Sequence, residues 1–311
     1  MAPDAPLSKD KLTIIMISVI FWGLSFPAIK VALGEVEPIT LGLLRALLGA
    51  IPISIFAFHK IGIKELLESF KSHPIPFISI AMLQYFLPLV FQNIGMTMMD
   101  PKSAASMSSI LQATSPVFTI FLSALFLGEH IGMKKGIGTG IAMTGAFLLV
   151  TRGGVVLSGT NLIGNLLLLG SAVVYSFASV TVKKTLTHQG PLKISSISLI
   201  LSTIFFLPTS IALEPISKIQ SISGETWLLI LFLGLICNGI AMIFWYNVLS
   251  TRQLSKQILF VYMIPLFGTL FSNLFVGEVI TLKTVIFGIV IISGITIAQY
   301  SRKRNKDSQH N

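Results

Sequence analysis

The sequence predicts an all-α integral membrane protein: ten transmembrane helices in two inverted-topology five-helix repeats, with both termini in the cytoplasm. Three observations carry this reading. The 311-residue chain is 53% hydrophobic and only 11% charged, with a mean hydropathy of +0.85, whereas about a quarter of a soluble domain is charged. Its charges are confined to short segments between apolar stretches of bilayer-spanning length, about 20 residues each. A set of residues in the first half also recurs, in register, in the second.

The apolar stretches are 12–33, 39–58, 75–98, 103–127, 134–151, 161–182, 191–213, 226–249, 256–276 and 283–300. Gly and Pro are frequent within them, which membrane helices tolerate because neighbouring helices re-satisfy the freed backbone groups. The first stretch is longer than a secretory h-region and lacks a small-residue cleavage site, so it reads as a span. With the N-terminus inside, sixteen Lys and Arg fall in inner segments, against Lys30, Lys102, Arg152, Lys218 and Lys283 outside. That asymmetry orients the chain with both termini in the cytoplasm, in a cell membrane. The net charge of +10 therefore encodes topology, and no nucleic-acid partner is expected. The basic tail at 301–311 is a cytoplasmic topology signal beside anionic headgroups. Cys237 is the only cysteine, which excludes a disulfide framework and a cysteine metal cluster; no metal or cofactor is expected.

An offset of 149 residues pairs Pro116 with Pro265, Leu125 with Leu274, Phe126 with Phe275, Gly128 with Gly277, Glu129 with Glu278, Lys134 with Lys283 and Gly145 with Gly294. Earlier in the chain an offset of 153 fits better and pairs Trp22 with Tyr175, Lys30 with Lys183 and Phe91 with Phe244. The repeats are thus 12–151 and 161–300, divided near Gly153-Gly154 and the SGTN at 158–161. Each contains an odd number of spans, so the second enters the membrane from the opposite side. Inverted repeats of this kind recur in secondary transporters, where exchanging the conformations of the two copies turns one access state into the other.

Several strings carry a family resemblance: WGLSF at 22–26, LLRALLGA at 43–50, SPVFTIFLSALFLGE at 115–129 and GIGTGIAMTGAFLL at 136–149. The second half repeats the pattern in IPLFGTLFSNLFVGE at 264–278 and GIVIISGITIA at 288–298. The chain from about residue 12 to 300 resembles an EamA-type member of the drug/metabolite transporter superfamily. The resemblance implies a central cavity between the halves, formed mainly by spans one, three, four, six, eight and nine, and substrates ranging over amino acids, nucleobases and other metabolites.

An enzyme is not expected. His59, His73, His130, His188 and His310 all lie at span ends, in loops or in the tail, and no Asp lies within a span, so the usual nucleophile-base and metal constellations are missing. The GIGTG at 136–140 follows no strand and reads as a packing surface of Gly136, Gly140 and Thr144 rather than a nucleotide loop.

Uncharged polar and aromatic residues in phase with the helix are the candidate substrate-binding set, since they hold a small ligand without the desolvation cost of fixed charge. Trp22 and Ser25 share a face of span one; Gln84, Pro88 and Gln92 share one in span three; Ser108, Gln112, Ser115 and Thr119 share one in span four. Ser171 and Tyr175 in span six, Asn238 and Trp245 in span eight, and Tyr262, Thr269 and Asn273 in span nine complete the set. The competing reading is that the hydroxyls only bond their own backbone.

Arg45 is the one basic residue inside a span and reads as a structural charge; facing a cavity, it would favour carboxylate-bearing ligands. Glu129 and Glu278, at span ends, read as structural anchors. Pro116 and Pro265 are expected to bend their spans. Lys30 and Lys183 are gate candidates, with Glu35 or Glu37 near the former and simple snorkelling as the alternative. The reading that unites these features is a secondary or facilitative transporter of small metabolites working by alternating access, exporting amino acids or related compounds. A membrane sensor that binds without transport is its rival. Its partners are a small-molecule substrate and the lipid bilayer, and both monomer and homodimer remain open.

Overall fold

The computed structural model describes residues 8–99, 104–151, 162–276 and 282–299, and all regular structure among them is helical. In chain order the helices are α1 Lys9–Ala32, α2 Pro38–Ile61, α3 Ile63–Ser72, α4 Pro74–Thr97, α5 Ala104–Gln112, α6 Ser115–Leu127 and α7 Met133–Thr151. There follow α8 Leu162–Thr185, α9 Pro191–Leu213, α10 Gly224–Ser250, α11 Leu254–Gln257, α12 Ile264–Val276 and α13 Leu282–Gln299. Six of them, α1, α2, α4, α8, α9 and α10, are long and apolar enough to cross a bilayer. Large apolar side chains such as Phe56, Phe121, Leu125, Leu274 and Phe275 stand exposed on the outer surface, where hydrocarbon rather than water is the natural solvent.

Helix starts follow the sequence closely. Ser8 and Ser223 accept bonds from the backbone N–H of Lys11 and Thr226, satisfying donors that have no partner within the helix. Proline opens α2, α4 and α9, where its missing N–H costs nothing. Gly128 ends α6 in the left-handed region at φ 64°, which a residue with a Cβ enters only under strain.

Two predicted spans are not single helices. The segment 103–127 breaks at Ala113–Thr114, between α5 and α6. Pro116 has no N–H for the Gln112 carbonyl, and its ring would crowd that carbonyl in a continuous helix. It stands instead in the first turn of α6. In the segment 256–276, Ile258–Met263 is a 3₁₀ helix and Pro265 falls in the first turn of α12. Two other spans stay continuous but change pitch, with π-helical turns at Ala81–Phe86 in α4 and Phe232–Ile240 in α10. The linker after α2 carries the short amphipathic α3, which buries Leu66 and Ser69 and exposes most of its charge.

Exchanging the halves maps the packing onto itself. α7 packs on α13 and α2 on α9; α4 packs on α8 as α1 does on α10, and α6 on α8 as α1 does on α12. At the α7–α13 crossing a Cβ on Gly145 would meet Ile291, and one on Gly294 would meet Ala142, contacts related by the 149-residue offset. The expected packing surface of Gly136, Gly140 and Thr144 is not the one used: a Cβ on Gly136 or Gly140 meets nothing within 4 Å, and Thr144 is exposed. The buried face is Gly138, Ala142 and Gly145. Composition alone did not distinguish two small-residue stripes on one helix.

Candidate functional site

A cavity of about 130 Å³ lies at the centre of the bundle, lined by α1, α2, α4, α5, α6, α8, α10 and the 258–264 segment. Nine residues of the expected set line it: Trp22, Ser25, Gln84, Gln92, Gln112, Ser115, Tyr175, Asn238 and Trp245. Tyr262 does not; it is fully buried and outside the lining. The physical reason is helical period. The 3₁₀ turn repeats every three residues, so Ile258, Val261 and Ile264 face the cavity in place of the α-periodic stripe that contained Tyr262. Asn273 lies on α12, with its side chain outside the described residues. Ser108 and Thr119 are buried and outside the lining, and the Ser108 hydroxyl bonds the Ala104 carbonyl of its own helix.

Fourteen of the twenty-one lining residues fall into pairs at the repeat offsets. Trp22 matches Tyr175, Phe26 matches Ser179, Gln84 matches Cys237, Tyr85 matches Asn238 and Gln92 matches Trp245 at 153 residues; Gln112 matches Val261 and Ser115 matches Ile264 at 149. The two π segments hold corresponding positions. Each widened turn presents two consecutive side chains to the cavity, Gln84 with Tyr85 and Cys237 with Asn238, and such turns gather at functional sites.

Hydrogen bonds fix the walls. Trp22 Nε1 donates to the Cys237 carbonyl at 3.2 Å, and its ring meets Trp245 edge-on with centroids 5.2 Å apart. Gln112 Nε2 donates to Ser171 Oγ at 2.7 Å, and that hydroxyl donates to the Pro88 carbonyl at 2.9 Å, tying α5, α8 and α4 together. Ser25 donates to the Trp22 carbonyl, so its proton is used within its own helix.

Arg45 is also in the lining. It is 3% exposed, and its Nη2 donates to Asn238 Oδ1 at 3.2 Å. The close approach of α2 and α10 depends on two glycines: a Cβ on Gly49 would fall 2.7 Å from the Gly234 carbonyl oxygen, and one on Gly234 would fall 2.8 Å from that of Arg45.

The charges at the helix ends bond to backbone. Glu129 is buried and accepts from the N–H groups of Leu254 and Ser255 at 2.8 and 2.9 Å, capping α11. Lys183 is 7% exposed; its Nζ donates to the carbonyls of Leu249, in the last turn of α10, and Arg252, just beyond it, each at 2.7 Å. Lys135 bonds Ser255 Oγ and the His130 carbonyl, and Lys11 bonds Thr251 Oγ1. Helix termini favour these signs of charge. Lys30 is half-buried at the far end of α1. Glu35, expected beside it, instead accepts from the backbone N–H and hydroxyl of Ser223, bonds that hold its carboxyl below the usual range. Glu278 and the tail at 301–311 lie outside the described residues.

The sequence reading missed Glu214, which accepts from the N–H groups of Ile39 and Thr40 at 2.8 and 2.6 Å and from the Thr40 hydroxyl at 2.7 Å. Its position just after an apolar stretch, like that of Glu129, was the available signal. Tyr85, Tyr246 and Cys237 were also missed in the cavity wall; in the sequence they look like core.

Apolar spanning helices around a buried polar and aromatic cavity define a multi-pass membrane protein. The chain belongs to the EamA-like transporter family, which matches residues 11–151 and 162–299. An uncharacterized transporter of Archaeoglobus fulgidus is 28% identical over 94% of this chain and 99% of its own length. A protein of Escherichia coli named "Probable amino-acid metabolite efflux pump" is 24% identical over 96% of this chain and 98% of its own. A "Probable terminal-alkyne amino-acid exporter" of Streptantibioticus cattleyicolor is 22% identical over 91% of each. One solved structure superposes with a TM-score of 0.74 at 19% identity, covering 93% of this chain and 96% of that one, a likeness of fold.

Proposed function

We propose that this protein exports amino acids or related small compounds by alternating access, as ten spans in two inverted repeats with both termini in the cytoplasm. One observation carries the reading: the central cavity is walled by matched positions of the two halves, such as Trp22 with Tyr175 and Gln92 with Trp245. In an inverted repeat, exchanging the conformations of the halves exposes such a site to the other face. The bonds from Lys11, Glu129, Lys135 and Lys183 to the 249–255 segment support an inner closure that must break and re-form in each cycle. Relatives named as amino-acid efflux pumps and exporters support the substrate class and direction.

The test is counterflow in proteoliposomes loaded with a mixed pool of unlabelled amino acids. Purified protein should accelerate entry of at least one labelled amino acid over empty liposomes. If it moves none while still binding one, the sensor reading replaces this one.

A further inference from the structure

Two-thirds of the cavity lining is paired between the halves, but its charge is not. Arg45 lines the cavity from α2, and the matching residue 153 positions on, Ser198, is buried outside the lining with its hydroxyl on the Phe77 carbonyl. No Asp or Glu is among the lining residues. A guanidinium stays protonated in proteins, so the cavity holds one positive charge with no counter-ion among the described residues. Its Nη2 bonds only the neutral Asn238 amide, while Nε and Nη1 have no partner, and neither has Asn238 Nδ2. A buried charge left in that state is costly unless something pairs with it.

We infer that Arg45 and Asn238 form a carboxylate subsite at one end of the cavity, and that the transported compounds are small carboxylates in which an α-ammonium group is not required. The inference rests on the cavity being the substrate site proposed above. The guanidinium supplies planar charged donors suited to a carboxylate, and the Asn238 amide adds a neutral one. No carboxylate faces a ligand ammonium. The neutral amide and hydroxyl groups and the aromatic rings of the lining give that group no counter-charge, so removing it costs little, whereas removing the carboxylate leaves Arg45 unpaired.

The experiment compares leucine, α-hydroxyisocaproate, leucinamide and isopentylamine on the intact protein, by proteoliposome counterflow and by quenching of tryptophan fluorescence. Leucine and the hydroxy acid should both be transported, with leucinamide and isopentylamine at least about tenfold slower, the scale expected for loss of a buried charge partner. Equal transport of leucinamide or isopentylamine overturns the inference without touching the transport reading. Quenching by the two carboxylates alone with no counterflow supports the subsite and overturns transport. Arg45→Gln and Arg45→Lys then separate binding from packing. A subsite predicts that Arg45→Gln erases the preference of leucine over leucinamide and that Arg45→Lys keeps part of it. A residue that only holds the helices together would lower both rates equally and leave the preference intact, and that result sinks the assignment even though the protein folds less well.

Discussion

Glu129 and Lys183 show how a charge survives at the edge of an apolar bundle. Each is buried, and each bonds backbone groups that a helix terminus leaves without partners. Removing one partner of such a bond strands the other, so Glu129→Ala should destabilise the protein by about 2 kcal/mol or more, read by detergent-titration unfolding. Glu68→Ala is the contrast. Its 4.0 Å contact with Lys64 is exposed on both sides, and a surface pair of that kind contributes close to nothing. That Glu129 stands at the end of a span was legible in the sequence, from its place just after an apolar run. What it anchors was not, because Leu254 lies 125 residues away and belongs to the other half.

Small departures from α-helical geometry decide which side chains reach the cavity. The π turns in α4 and α10 and the 3₁₀ turn at Ile258–Met263 each shift the phase of the residues beyond them, and that shift removed Tyr262 from the site. Proline alone does not announce a break: Pro27, Pro52 and Pro208 sit inside continuous helices, whereas α6 begins at Ser115, one residue before Pro116. The close α2–α10 crossing is set by glycine. Gly234→Ala would place a methyl 2.8 Å from the Arg45 carbonyl oxygen and 2.9 Å from Leu48 Cβ. Overpacking of this kind costs about 1–3 kcal/mol, and leucine quenching should weaken with it because Arg45 and Asn238 separate. Gly140→Ala meets nothing within 4 Å and should leave binding unchanged while stabilising α7 by about 0.5–1 kcal/mol. If Gly140→Ala is the more damaging change, the crossing has been misassigned.

At the scale of the molecule, the proposed orientation puts Lys11, Glu129 and Lys183 at the inner face, and Glu35 and Glu214 at the outer. Cys237, the only cysteine in the chain, is buried, so single-cysteine labelling in intact cells is a direct test. Ser8→Cys and Gln189→Cys should resist a membrane-impermeant thiol reagent until lysis, and Gln220→Cys should label at once; labelling of Ser8→Cys from outside would overturn the orientation.

The sequence by itself determined the membrane class and the family, together with nine of the twenty-one residues that line the cavity. These follow from composition, span length and side-chain period, which are local properties. Only the tertiary structure decided that Arg45 belongs to the cavity, that Tyr262 does not, and that Glu129, Glu214 and Lys183 bind distant helix ends. Those outcomes depend on where two helices far apart in the chain come close enough to share a bond, and no periodicity within either one records it.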